Sequence, residues 1–117
     1  DGVHFAPRMR ARRKAGQLQV LAMEAMEDET IPASFSHNLS AAARYTQIEP
    51  VCFAIDGLET AEAPYRGAGG LVQIPGAHHN MVFEAESPGP ENRAMIQHFF
   101  HSGFAEGTAE IQWQDLP

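Results

Sequence analysis

At 117 residues the chain is long enough for one small domain, and its 44% apolar content is sufficient for a core. No apolar run approaches the roughly 20 residues that cross a bilayer, so we expect no membrane span. The formal charge is −7, with a net +4 on residues 1–14 and a net −11 on the remainder. The basic stretch is short and adjoins an acidic body, which argues against nucleic-acid binding.

The first half of the chain predicts a strand, a helix and a second strand. Residues 1–16 are interpreted as a connecting segment ending at a glycine. Residues 18–23 form a short apolar run without a helical stripe, which is typical of a buried strand. Apolar residues at helical spacing predict a helix over 33–45. Another apolar run predicts a strand at 50–55, with the single Cys52 as a buried structural thiol.

The second half predicts an excursion, a strand and a helix. Residues 57–70 are polar and rich in Gly and Ala, and they are long for a connection between strands, so they indicate a loop that could face a substrate. A third strand is predicted at 71–74 and a strongly amphipathic helix at 91–104. Residues 105–117 are interpreted as a tail or a short edge strand. The order is β-α-β-β-α, and a helix joining neighbouring strands makes them parallel, which predicts an α/β fold.

Polar side chains follow two of these strands. Asp28 lies in an acidic loop after the first strand, four residues before Pro32. His78 and His79 lie in the loop after 71–74. Functional groups of open α/β sheets collect at the carboxyl ends of strands, so we expect these side chains to lie close together. A carboxylate that orients an imidazole provides two members of a hydrolytic triad.

Other chemistries receive less support from these residues. Adjacent residues in an extended chain point in opposite directions, so His78 and His79 are poorly placed to chelate one metal ion. Glu84 and Glu86 lie downstream, and a metal site on these side chains remains an alternative. No Cys cluster or phosphate-binding glycine loop is present in the sequence. We therefore expect no cofactor and no metal.

The order of these elements resembles the end of the α/β-hydrolase fold. There, a strand is followed by a loop Asp and a Pro four residues later, and the next strand is followed by Gly-x-Gly-His. Here the matching residues are Asp28 with Pro32, and Gly-Ala-His-His at 76–79. The resemblance implies that His79 is the catalytic base and Asp28 its orienting acid. His78 stands where the family has Gly, which leaves the choice between the two imidazoles open.

The resemblance covers residues 17–104 and lacks the nucleophile of the family. That nucleophile is a Ser in G-x-S-x-G on a strand-to-helix turn, upstream of the Asp. None of the serines here has this setting; they are Ser34, Ser36, Ser40, Ser87 and Ser102. We therefore expect the carboxyl-terminal portion of a serine hydrolase domain. Its remaining portion, in the same chain or a separate one, would supply the Ser for a small ester or lipid substrate.

Two further interpretations follow from the sequence. The segments VHFAPRM and FFHSGF are similar to the ends of secreted bacterial esterases and lipases, which implies a secreted or periplasmic location. The alternative to a hydrolase segment is a non-catalytic α/β module that binds a partner through an exposed sheet edge. Stoichiometric metal in the purified protein would instead favour a metal site on His78, His79 and the nearby acids.

Overall fold

The computed structural model describes residues 2–113, which form a four-stranded, all-parallel sheet with flanking helices. The predicted α/β class is confirmed. The elements are α1 (Gly2–Lys14), β1 (Val20–Ala25), α2 (Ala33–Ala43), β2 (Thr46–Ile48), β3 (Thr60–Ala61), β4 (Gly69–Ile74) and α3 (Gly89–Glu106). Their order across the sheet is β1-β4-β2-β3. Asp1 and the part of the predicted tail at 114–117 lie outside the described residues.

The last strand of the described residues lies inside the sheet. All six residues of β4 are buried. Val20–Ala25 pair with Gly69–Ile74 in register on one side, and β2 pairs with the same strand on the other. A strand covered on both faces and bonded on both edges is expected to be a continuous apolar run, as Leu71 and Val72 illustrate. This placement makes β1 and β4 neighbours, although almost fifty residues separate them in the sequence.

The helices pack their apolar side chains on this sheet. α3 begins with a Pro in its first turn and Glu91, which suit the positive end of a helix, and it ends at the left-handed Gly107. Its Met95 and Phe99 join the core cluster that contains Ile74. α1 packs on α2, with Ala6 completely buried. The structure therefore places a helix at residues 2–14, where the sequence was interpreted as a connecting segment.

The strand predicted at 50–55 is wrong. β2 ends at Ile48, and residues 50–55 form an irregular loop. Cys52 and Phe53 are exposed, so the prediction of a buried thiol is also wrong. The excursion at 57–70 contributes the short β3 to the far edge of the sheet.

A buried glutamine explains why this loop replaces a strand. The Oε1 atom of Gln73 accepts hydrogen bonds from the backbone N–H groups of Cys52 and Phe53, both at 2.9 Å. Its Nε2 atom donates to Phe53 O at 3.0 Å and to Glu24 Oε2 at 2.9 Å. Gln47, on β2, donates to Phe53 O and accepts from Ile55 N, both at 2.9 Å. The loop is held by side-chain amides, which compete with a strand ladder for its backbone groups.

Replacing Gln73 with Leu should destabilise the protein by about 2–4 kcal/mol, because several buried polar groups would lose their partners. Urea unfolding followed by circular dichroism measures this change. Gln97→Leu, on the exposed side of α3, is the matched control and should change stability by less than about 0.5 kcal/mol. Equal effects of the two substitutions would contradict the role given to Gln73.

A second polar network ties the end of the described chain to α3. Glu110 Oε1 lies 2.8 Å from His98 Nε2, and Glu110 Oε2 accepts from Arg66 Nε at 2.7 Å. The Ser102 hydroxyl accepts from Glu110 N at 2.8 Å. The neighbouring Ile111 forms an isolated antiparallel bridge with Tyr65. The hydrogen bond to His98 is the main cause that lowers the pKa of Glu110, and the bond to Arg66 adds to it.

This lowered pKa gives stability a predictable pH dependence. Glu110 has an ordinary pKa of 4.5, so its contribution is complete above that value and is lost as pH falls through the lower folded-state pKa. Glu110→Gln should therefore lower the urea midpoint at pH 7, and the difference from the native chain should disappear in strong acid. The exposed Glu62→Gln is the control. A difference between Glu110→Gln and the native chain that is independent of pH would contradict this linkage.

Candidate functional site

The loops that follow β1 and β4 meet at the carboxyl edge of the sheet. Met26 N donates to Ile74 O at 3.2 Å, and Glu27 N donates to Ala77 O at 3.0 Å. The first bond keeps the register of the parallel ladder, and the second joins the two loops beyond the strand ends. The next residue of the first loop is Asp28, which these bonds bring beside the second loop.

Asp28 and His79 form a direct hydrogen bond. The Oδ2 atom of Asp28 lies 2.9 Å from Nδ1 of His79. The Asp28 side chain is 16% exposed and that of His79 is 42% exposed. The carboxylate is thus covered by the loop, while the imidazole reaches solvent.

The first loop holds Asp28 ionised and fixes its direction. Its other oxygen, Oδ1, accepts from Thr30 N at 2.7 Å and from Ile31 N at 3.0 Å. The Ile31 bond is the largest cause that lowers the pKa of Asp28, and the hydrogen bond to His79 is the next. An ionised carboxylate only accepts hydrogen bonds, so the proton of a neutral His79 lies on Nδ1 and Nε2 keeps a free lone pair.

His78 does not contact Asp28. Its Nδ1 atom lies 3.1 Å from the backbone oxygen of Glu27, and its Nε2 atom lies 3.9 Å from Glu27 Oε2. Both of those side chains are more than half exposed. Of the two imidazoles left open by the sequence, the structure therefore places His79 against the carboxylate of Asp28.

The segment around His79 is anchored on both sides. Ala77 is completely buried before it, and Met81 is buried after it. Asn92, on α3, donates from Nδ2 to Met81 O at 3.3 Å. Arg93 donates to Val82 O at 2.9 Å. The first turn of α3 thus fixes the loop that carries the imidazole.

His79 borders a small open cleft of about 140 Å³, together with Glu29, Thr30, His78, Asn80 and Glu84. No serine of the described chain lines it. Within residues 2–113, no group of three His, Cys, Asp or Glu side chains is arranged to hold a metal ion. His79 therefore faces a cleft to which the described chain brings neither a serine nor a metal-ligand set.

A second acid–imidazole pair was not identified from the sequence. Glu24, on β1, has Oε1 2.8 Å from His37 Nε2, although the pair is not aligned as a regular hydrogen bond. The His37 ring stacks on Phe53 with centroids 4.5 Å apart. Glu24 is buried and His37 is 17% exposed, so this pair lies beneath the 50–55 loop. The only signal for this pair in the sequence is the polar residue Glu24 within the otherwise apolar segment of β1.

Comparison with known proteins adds no assignment: no protein family, curated protein or solved structure was found to match this chain. None of the described helices is long and apolar enough to cross a membrane.

The tautomer of His79 provides a direct test of this geometry. Asp28→Asn keeps an oxygen for the Thr30 and Ile31 N–H groups but can present an N–H₂ donor to the imidazole. We expect ¹⁵N–¹H correlation spectra to show the Nδ1–H form of neutral His79 in the native chain and a shift toward Nε2–H in the variant. Glu27→Gln should leave the His79 signals unchanged. An Nε2–H form in the native chain would contradict the hydrogen bond.

Proposed function

We propose that Asp28 and His79 are the acid and the general base of a serine hydrolase that cleaves a carboxylic ester or a similar acyl substrate. The observation that carries the proposal is the 2.9 Å contact between Asp28 Oδ2 and His79 Nδ1 at the carboxyl edge of adjacent parallel strands. The resemblance of the sequence to the end of the α/β-hydrolase fold also supports it. The nucleophilic Ser and the groups that stabilise the oxyanion would come from residues outside these 117.

In this mechanism each atom of the pair has one task. Nε2 of His79 takes the proton from the Ser hydroxyl as the hydroxyl attacks the acyl carbon, and it later gives the proton to the leaving alcohol. Asp28 accepts the Nδ1–H bond throughout, so it holds the tautomer and stabilises the imidazolium. The two backbone N–H groups on its other oxygen keep Asp28 ionised and oriented while this occurs.

The open edge of β1 supports the proposal that a further part of the domain completes the enzyme. Among the described residues, β4 is the only strand that pairs with β1. Beside this edge lies an open groove of about 350 Å³, lined by Gln19, Val20, Leu21, Met23, Ile96, Phe99 and Phe100. Phe100 and Phe104 are 57% and 89% exposed, and their rings lie 6.5 Å apart. The rest of a hydrolase sheet would continue from β1 and cover these rings.

The same surface favours the second candidate, a non-catalytic α/β module. An unpaired strand edge beside exposed aromatic rings can bind a partner strand without any chemistry at Asp28 or His79. Catalytic variants separate the two candidates, because only a hydrolase depends on the imidazole.

In the complete protein, Asp28→Asn should lower kcat for ester hydrolysis by up to about 10⁴-fold, through the wrong imidazole tautomer. His79→Ala should lower it at least as far. His78→Ala and Glu27→Gln are the matched controls, and we expect them to stay within about tenfold of the native rate because neither side chain contacts the Asp28 carboxylate. A loss below tenfold for Asp28→Asn would remove Asp28 from the mechanism.

A fluorophosphonate probe tests the missing nucleophile separately. We expect mass spectrometry to find the label on a Ser outside these 117 residues, and we expect His79→Ala to slow the labelling. A complete protein that takes up no label and hydrolyses no ester, yet binds a partner through the β1 edge, would support the interaction module instead.

A further inference from the structure

A cationic cavity of about 320 Å³ lies at the amino end of the sheet, opposite Asp28 and His79. It lies where the carboxyl ends of α1 and α2 approach the first residues of β2 and β4. Four cations line it, and Glu59 is the only acid among its lining residues. The cations are Arg10, Arg13, Lys14 and Arg44. This concentration of positive charge stands out in a chain of net charge −7.

Arg13 is the central residue of this cavity. Only 8% of it is exposed, and its guanidinium lies over the Tyr45 ring at 4.8 Å from the ring centre. Its Nη2 atom donates to Ala43 O and, at 3.2 Å, to Arg44 O. Nε and Nη1 are buried and have no hydrogen-bond partner within residues 2–113. A Cβ at position 69 would collide with Nη1, so Gly69 leaves the space that the guanidinium occupies.

Capping of α2 accounts for only part of this arrangement. The last carbonyls of a helix carry partial negative charge and attract cations, and Nη2 of Arg13 satisfies two of them. The buried Nε and Nη1 still need acceptors, because a guanidinium out of water is costly unless it is paired. Arg10 and Lys14, one helical turn apart on α1, add charge at the same cavity. Capping explains neither the orphaned nitrogens nor these two cations.

We propose that this cavity binds the oxyanion group of a small molecule, either a phosphate or a carboxylate. Three arginines and one lysine line the cavity, and their donors match the charge and the acceptor oxygens of such a group. A cavity of this size holds a small molecule and is too small for a folded partner. The site is at the other end of the sheet from Asp28 and His79, so it does not depend on the proposed hydrolase.

The test is titration calorimetry of the full 117-residue chain with inorganic phosphate and with acetate, at pH 7 and constant ionic strength. The double variant Arg10→Gln/Lys14→Gln removes two cavity cations and leaves the Arg13 cap in place. Arg8→Gln/Arg12→Gln removes two cations from the same helix that do not line the cavity. We expect saturable 1:1 binding that the first variant weakens at least about tenfold and the second by less than about threefold. The anion that binds with the higher affinity, phosphate or acetate, identifies the oxyanion group that the cavity prefers.

Circular dichroism and urea midpoints show that each variant is folded before it is titrated. A folded native chain that binds neither anion saturably would overturn the proposal. Equal weakening by both double variants would also overturn it, since that result indicates a diffuse surface charge. A thymidine oligonucleotide that binds far more tightly than phosphate, with equal loss in both variants, would replace a small-anion site by binding along a nucleic-acid backbone.

Discussion

The parallel register of β1 against β4 is the constraint on which the rest of the structure depends. Six consecutive residue pairs align the two strands, so their carboxyl ends lie at one edge and their amino ends at the other. At the carboxyl edge a backbone hydrogen bond between Glu27 and Ala77 joins the two loops and brings Asp28 to His79. At the amino edge, Gly69 begins β4 and leaves room for the guanidinium of Arg13. Both candidate sites are therefore consequences of one pairing.

The two ends of the sheet also differ in charge. Three cations of α1 line the cavity at the amino end, namely Arg10, Arg13 and Lys14. Glu27, Asp28 and Glu29 lie in the loop at the carboxyl end, with Glu84 on the same cleft as Glu29. For the proposed hydrolase, an acidic rim around His79 disfavours a carboxylate and so favours departure of the acid product over its retention. The same separation keeps a small anion at the Arg13 cavity away from the imidazole.

Local patterns predicted the parts of this fold that depend on local sequence. The strands near 18–23 and 71–74, the helices near 33–45 and 91–104, and the polar loops after the strands all follow from apolar spacing and turn residues. The contact between Asp28 and His79 was predicted because strand ends gather functional groups. Adjacent histidines have identical chemistry, so only the family resemblance indicated His79 rather than His78, and it is the loop geometry that separates them.

The 50–55 loop and the strand order could not be obtained in the same way. Residues 50–55 are apolar enough for a strand, yet Gln47 and Gln73 take up the backbone groups of this loop from other strands. Gln47 lies within eight residues of the groups that it binds, but Gln73 lies 20 and 21 residues from the N–H groups that it binds, beyond the reach of a local sequence pattern. The position of β4 between β1 and β2 likewise depends on contacts between distant segments, and periodicity carries no information about them.

That position of β4 also determines when the sheet can form. β1 and β2 are made first, but no ladder joins them directly, because β4 lies between them. Of the ladders among the described strands, only the β2–β3 pair can form once residue 61 has been synthesised; it spans two residues and is too short to be stable alone. The sheet forms when residues 69–74 pair with the β1 and β2 segments, which were synthesised earlier. This step depends on non-local contacts. During synthesis, β1 therefore has no partner among the described strands until β4 has left the ribosome.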